Sequence, residues 1–100
     1  MRLGTTPKHT FTFPFDVSKI ANVKITYSQA GRIILEKYLK DCNVEGQTLT
    51  LTLTQEDTFL FMENKSVEIQ ARVVTLGGEV LASDVVRVLV ERCLDEEVLQ

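Results

Sequence analysis

The chain has 100 residues, 44% of them hydrophobic and 25% charged, with a formal net charge of -3. That size gives room for one domain around one core, and the composition is that of a folded globular protein rather than a disordered one. No apolar stretch approaches the roughly 18 residues needed to cross a bilayer as a helix, and no run of Lys or Arg could track a phosphate backbone, which argues against membrane and nucleic-acid partners.

The first eight residues contain no apolar h-region of a secretory signal and are expected to form a flexible lead into the domain, with synthesis in the cytoplasm. From there the dominant periodicity is two. Phe11, Phe13 and Phe15 alternate with Thr10, Thr12 and Pro14. Val23, Ile25 and Tyr27 alternate with Lys24, Thr26 and Ser28. Ala30-Gly31 then marks a turn before a segment running from Arg32 to about residue 40. A short piece around 42–44 and a turn at Glu45-Gly46 lead into Leu49, Leu51 and Leu53, spaced by threonines. Side chains alternate between the faces of a strand, so each pattern buries one face and wets the other.

Thr54-Gln55-Glu56-Asp57 interrupts this regime. A threonine hydroxyl can accept from the backbone N–H three residues on, and acids suit a helix N-terminus. The pattern predicts one helical turn over 55–61 that carries the chain from one sheet to the other, with Phe59 or Phe61 plugging the end of the core. Alternation then resumes in Val67, Ile69, Ala71 and Val73. Gly77-Gly78 predicts a hairpin whose turn needs positive φ, before a last strand over 79–92.

Turns at these intervals, and no long helix between strands, predict an all-β fold: an antiparallel immunoglobulin-like β-sandwich of six to seven strands. The domain is expected to occupy 9–93, with 94–100 as an acidic C-terminal tail. At 33–35 and 85–90 the alternation gives way to continuous apolar runs. A bulge or cover on both faces within the domain would explain such a run, and so would a neighbouring subunit. Ile33, Leu35, Val85, Val88 and Leu89 are therefore candidate subunit contacts, and Leu94, Val98 and Leu99 would join them if the tail docks on a neighbour.

Residues suited to chemistry are few. His9 is the only histidine and reads as a solvated residue at a strand start, with no second base nearby. Cys42 and Cys93 read as reduced thiols in a chain of cytosolic origin, with a disulfide between the sheets as the alternative, and with one histidine they do not make up the roughly four ligands of a zinc site. Glu56 and Asp57 are accounted for by helix capping, and Leu76-Gly77-Gly78-Glu79 lacks the spacing of a phosphate loop. No catalytic residue, cofactor site or metal site is assigned, and an enzyme is not expected. Tyr27 and Tyr38, with no tryptophan, make a poor stacking platform for a sugar. A binding module for a carbohydrate or other cell-surface ligand is the alternative reading.

The segments Phe11-Thr12-Phe13-Pro14-Phe15-Asp16 and Ile20-Ala21-Asn22-Val23-Lys24-Ile25-Thr26-Tyr27-Ser28-Gln29-Ala30-Gly31 carry a resemblance, continued by Leu53-Thr54-Gln55-Glu56-Asp57-Thr58, by Ile69-Gln70-Ala71-Arg72-Val73 and by the Gly77-Gly78 hairpin. Over most of 7–94 the chain resembles small proteins of phage and prophage structural gene clusters in Gram-positive bacteria. It is also similar to the immunoglobulin-like N-terminal module of phage baseplate upper proteins. The resemblance implies a structural or assembly subunit of a tail or baseplate, made in the bacterial host cytoplasm and incorporated in the virion. Its implied partners are copies of itself or other phage structural proteins, and it transfers no active-site residue.

Overall fold

The computed structural model describes all residues from Met1 to Gln100, as a slab of 46 × 31 × 16 Å. Its strands are β1 (Lys8–Thr12), β2 (Ile20–Gln29), β3 (Arg32–Tyr38), β4 (Cys42–Glu45), β5 (Thr48–Thr52), β6 (Ser66–Thr75), β7 (Val80–Ala82) and β8 (Val86–Leu89). One helical turn, α1 (Gln55–Thr58), separates β5 from β6. All strand pairings are antiparallel and form two sheets, the smaller ordered β1-β5-β4 and the larger β3-β2-β6-β7, with β8 also on β6. The chain is an immunoglobulin-like β-sandwich, and α1 performs the expected crossing between the sheets after β5.

The alternating residues fill the space between the sheets. Leu49, Leu51 and Leu53 from the small sheet meet Val23, Ile25, Tyr27, Val67, Ile69, Ala71 and Val73 from the large one, all of them buried. Such interdigitation at a sheet spacing of about 10 Å is the main source of stability in a sandwich. The Thr54 hydroxyl accepts from the Asp57 N–H at 3.0 Å, and the Asp57 carboxylate accepts from the Thr54 N–H at 3.0 Å, closing a reciprocal cap. The helix stops at Thr58, shorter than the predicted turn to 61, yet Phe61 is buried at the core's end and Phe59 packs against its edge.

Two apolar runs resolve differently. Tyr27 pairs with Leu35 while its neighbour Ser28 pairs with Ile33, so Ile34 is an extra residue in a β-bulge. Ile33 then falls on the outer face, while Ile34 and Leu35 pack against the core. A bulge inserts one residue and breaks the alternation without any second covering layer. The predicted strand 79–92 is split into β7 and β8 by residues 83–85. There the Ser83 N–H donates to the Ala71 carbonyl at 2.8 Å, and the Ser83 hydroxyl accepts from the Ala71 N–H at 3.0 Å. Within β8 the alternation returns, with Val88 opposite buried Val67 and Val86 opposite buried Ile69.

The turns also separate into two kinds. Ala30 and Gly31 have φ of 51° and 76°, as a two-residue turn between Gln29 and Arg32 requires. At the other hairpin only Gly78 is left-handed, because the loop spans 76–79 rather than two residues. Its Thr75 carbonyl accepts from the Gly78 N–H, and the Thr75 hydroxyl accepts from the Glu79 N–H.

The first residues lie in place against the last strand. The Met1 ammonium donates to the Leu89 carbonyl at 2.8 Å, and the Leu3 N–H donates to the Glu91 carbonyl at 3.0 Å. Leu3 is buried, and Arg2 forms an ion pair with Glu91. Residues 1–3 thus run parallel to 89–91 along the outer edge of the large sheet. The tail is also tied to its own chain, because the Gln55 side-chain amide donates to the Leu99 carbonyl and accepts from the Leu99 N–H, both at 2.8 Å.

Candidate protein-interaction surface

β1 and its continuation to Phe15 form one border of an apolar cleft of about 470 Å³. The opposite border is β7, and the floor is made by the buried side chains Ala71 and Val73 of β6. Phe11, Phe13 and Phe15 are each half-buried along it, with the Phe13 and Phe15 ring centroids 5.7 Å apart. No charged side chain lines the cleft.

Its origin is a mismatch in width. β7 and β8 share one edge position beside β6, so the large sheet is four strands wide where the small one is three. The uncovered position is β7–β8. Leu81 pairs with buried Val73 and Val86 with buried Ile69, so both point toward the sandwich interior, yet they are 41% and 55% exposed. Side chains directly opposite one another in a sheet share a face, which makes this exposure a missing layer rather than an outward orientation.

Each candidate contact named from the sequence has a definite place. Ile33 lies on the outer face at 60% exposure, and Val85 is exposed at the break between β7 and β8. These two share a shallow, mainly polar surface with Lys24, Thr26, Glu68 and Arg72. Leu35 and Val88 pack against the core, and Leu89 is exposed beside the N-terminal segment. Leu94 and Leu99 are exposed, while Val98 is half-buried. The structure therefore distributes these residues over several faces. The phenylalanines of the cleft and Leu81 were not among them. Their signal was present in the strict alternation of Phe11, Phe13 and Phe15, which reads as core unless the opposite sheet is known to be wider.

Several ionisable residues are held by partners within the fold. His9 is turned inward rather than solvated, its Nδ1 2.7 Å from the Tyr27 hydroxyl across the two sheets. Burial, aided by the N-terminal ammonium, lowers the pKa of His9, and burial raises that of Tyr27. Burial pushes the Cys42 thiol up to about 11, with Asp41 adding to the effect, so it is protonated and unreactive at neutral pH. Cys42 and Cys93 are both free thiols. For Asp57 burial acts upward, but the Thr54 N–H and the Lys37 ammonium at 3.2 Å outweigh it and hold the carboxyl below its ordinary value. Glu36 accepts from Lys24 at 3.0 Å and from the Tyr38 hydroxyl at 3.0 Å, which lowers its pKa. Tyr27 is wholly buried, leaving Tyr38 as the one tyrosine with an accessible ring. No three His, Cys, Asp or Glu side chains come together as a metal-binding group.

No protein-family model matches the chain, and no curated protein matches it. Among solved structures, the V domain of amphioxus IgVJ-C2 aligns over 90% of this chain and 96% of that one, with 14% identity and a TM-score of 0.35. A likeness at that level decides nothing about topology or function, and the fold stands on its own strands and core. What the site offers chemically is apolar surface between unpaired strand edges, the material of a protein contact.

Proposed function

We propose that the chain is a non-enzymatic structural or assembly subunit of a bacteriophage or prophage particle, associated with the tail or baseplate and working through protein–protein contacts. The observation that carries the contact part is the uncovered β7–β8 position, where interior-facing Leu81 and Val86 remain exposed, Leu81 in one cleft with three half-buried phenylalanines. Contiguous apolar surface of this kind marks interaction sites on small proteins. The phage part is supported by the resemblance over 7–94, whose motifs are strands, a capped turn and a hairpin. Particle components are symmetric assemblies that use such edges and faces for packing against copies of themselves or their neighbours. Sedimentation equilibrium of the full chain, alone and with the purified products of the adjoining genes, tests the reading. Self-association or a defined hetero-complex is expected, and a strict monomer that binds none of those products overturns it.

A further inference from the structure

β1 is the last strand of the small sheet, paired only with β5. Its phase on that side is fixed at both ends: the Phe13 N–H donates to the Gln47 carbonyl at 2.9 Å, and the Leu53 N–H donates to the Pro7 carbonyl at 3.0 Å. Hydrogen bonding along an antiparallel strand alternates from one edge to the other. The odd residues therefore bond to β5, and the backbone groups of Lys8, Thr10 and Thr12 point to the open edge. The next residue in that phase is Pro14, which has no N–H to offer, so pairing along this edge is limited to the stretch before it.

The open edge of β1 adjoins the cleft. A strand hydrogen-bonded to Thr10 and Thr12 would lie about 4.8 Å beyond β1. That is the fourth position the small sheet lacks, opposite β7–β8. Alternate side chains of the added strand would point down onto Leu81, Ala71 and Val86, and the others would face solvent.

We propose that β1 is an acceptor edge that takes an extended segment of a partner polypeptide as a fourth strand, completing the sandwich. This rests on the contact reading above and names the surface and the partner's chemistry. The partner segment alternates apolar with uncharged polar residues, because the cleft has apolar walls and no charge to meet one. It comes from another kind of chain. Every long alternating segment of this protein already pairs within its own sheets, and its C-terminal residues 95–97 are acidic. Docking a second β1 on the first would also bring the two overhanging β7–β8 edges against one another. Strand addition of this type draws its affinity from main-chain hydrogen bonds and its selectivity from the pockets below.

The test uses the full chain labelled with ¹⁵N and a synthetic peptide, Lys-Thr-Val-Thr-Val-Thr-Val-Thr-Lys, read by amide hydrogen exchange. In the free protein the Thr10 and Thr12 amides should exchange fast and the His9 and Phe11 amides slowly. With peptide at about 1 mM, exchange at Thr10 and Thr12 should slow by about tenfold or more, a protection the same peptide with prolines at its central threonines does not give. Leu81→Lys, whose folding is verified by unchanged protection in β5, should abolish the effect, because an ammonium that reaches water in the free chain would be covered by the added strand. Protection appearing on the outer edge of β3 or β4 instead, or none at Thr10 and Thr12, overturns the proposal. If that failure accompanies self-association or a complex in sedimentation, the contact reading stands and only the acceptor edge falls. If the peptide protects Thr10 and Thr12 while the chain binds no adjoining gene product, the edge stands and the phage assignment falls.

Discussion

The end of the sandwich around α1 and the side along β1 and β7 use similar apolar residues but are finished in opposite ways. Around α1 several polar groups are answered from distant parts of the chain. The Thr58 hydroxyl is fully buried, accepting from the Gly4 N–H at 2.8 Å and donating to the Gln55 carbonyl at 2.7 Å. Gly4 itself has φ of 78°, and a Cβ there would stand 3.1 Å from the Phe59 ring and 3.2 Å from the Cys93 sulfur. Lys37 reaches Asp57, Gln55 holds Leu99, and residues 1–3 cover the edge of 89–91. Along β1 and β7 nothing crosses the gap, and apolar side chains that face the interior remain wet.

The largest effect that separates the two regions is expected at Gln29. Its amide is buried, with Nε2 donating to the Met62 carbonyl at 3.0 Å and the Lys65 carbonyl at 3.3 Å, while Oε1 accepts from the Met62 N–H at 2.7 Å. One side chain thereby satisfies three backbone groups of the loop between α1 and β6. Gln29→Leu fills the same space and leaves the Met62 N–H and carbonyl unpaired, while the Lys65 carbonyl keeps the Val90 N–H at 3.0 Å. A loss of about 2–3 kcal/mol is expected, seen as a fall of roughly 10–15 °C in the thermal midpoint. A change under a few degrees would mean that the loop finds other partners and that the closed end is less determined than its hydrogen bonds suggest.

Much of this contrast was out of reach of the sequence for a definite reason. The strands, the Thr54 cap and the crossing after β5 are local patterns, each set by residues within a few positions. The bulge at Ile34 is not, because it exists only in the register between β2 and β3. Gln29 looked like the ordinary end of a strand, and nothing nearby announces that its partners lie 33 and 36 residues away. The cleft is harder still. Phe11, Phe13 and Phe15 have the alternation of core residues, and they become a surface only because the facing sheet is one strand wider than their own.

His9 lies where the two sheets meet through Tyr27, and it offers a smaller effect that reports on packing there. Burial lowers its folded pKa from the ordinary 6.5. The unfolded chain therefore takes up a proton first as pH falls. Stability is full above about 6.5, declines as pH drops below that value, and levels off below the folded pKa. Thermal midpoints measured between pH 7.5 and 5 should fall in the native chain and fall less in His9→Gln, which keeps an acceptor for the Tyr27 hydroxyl. Equal slopes in the two proteins would show that His9 is solvated in solution and that the sheets separate near β1.

Leu81→Lys carries the smallest expected effect and the sharpest comparison. A leucine that pairs with buried Val73 would ordinarily be part of the core, and its replacement by a charge would cost several kcal/mol through an unpaired ion and lost burial. Here no layer lies above it, so the ammonium of a lysine reaches water while its stem covers the floor of the cleft. The isolated protein should lose no more than about 0.5 kcal/mol in urea unfolding, with an unchanged slope against denaturant. A loss of about 2 kcal/mol or more would mean that the cleft closes in solution and that Leu81 belongs to the core after all. A near-zero loss, set beside a large one for Gln29→Leu, would show that the isolated chain's stability does not depend on closing this border, leaving its apolar surface free for a partner strand.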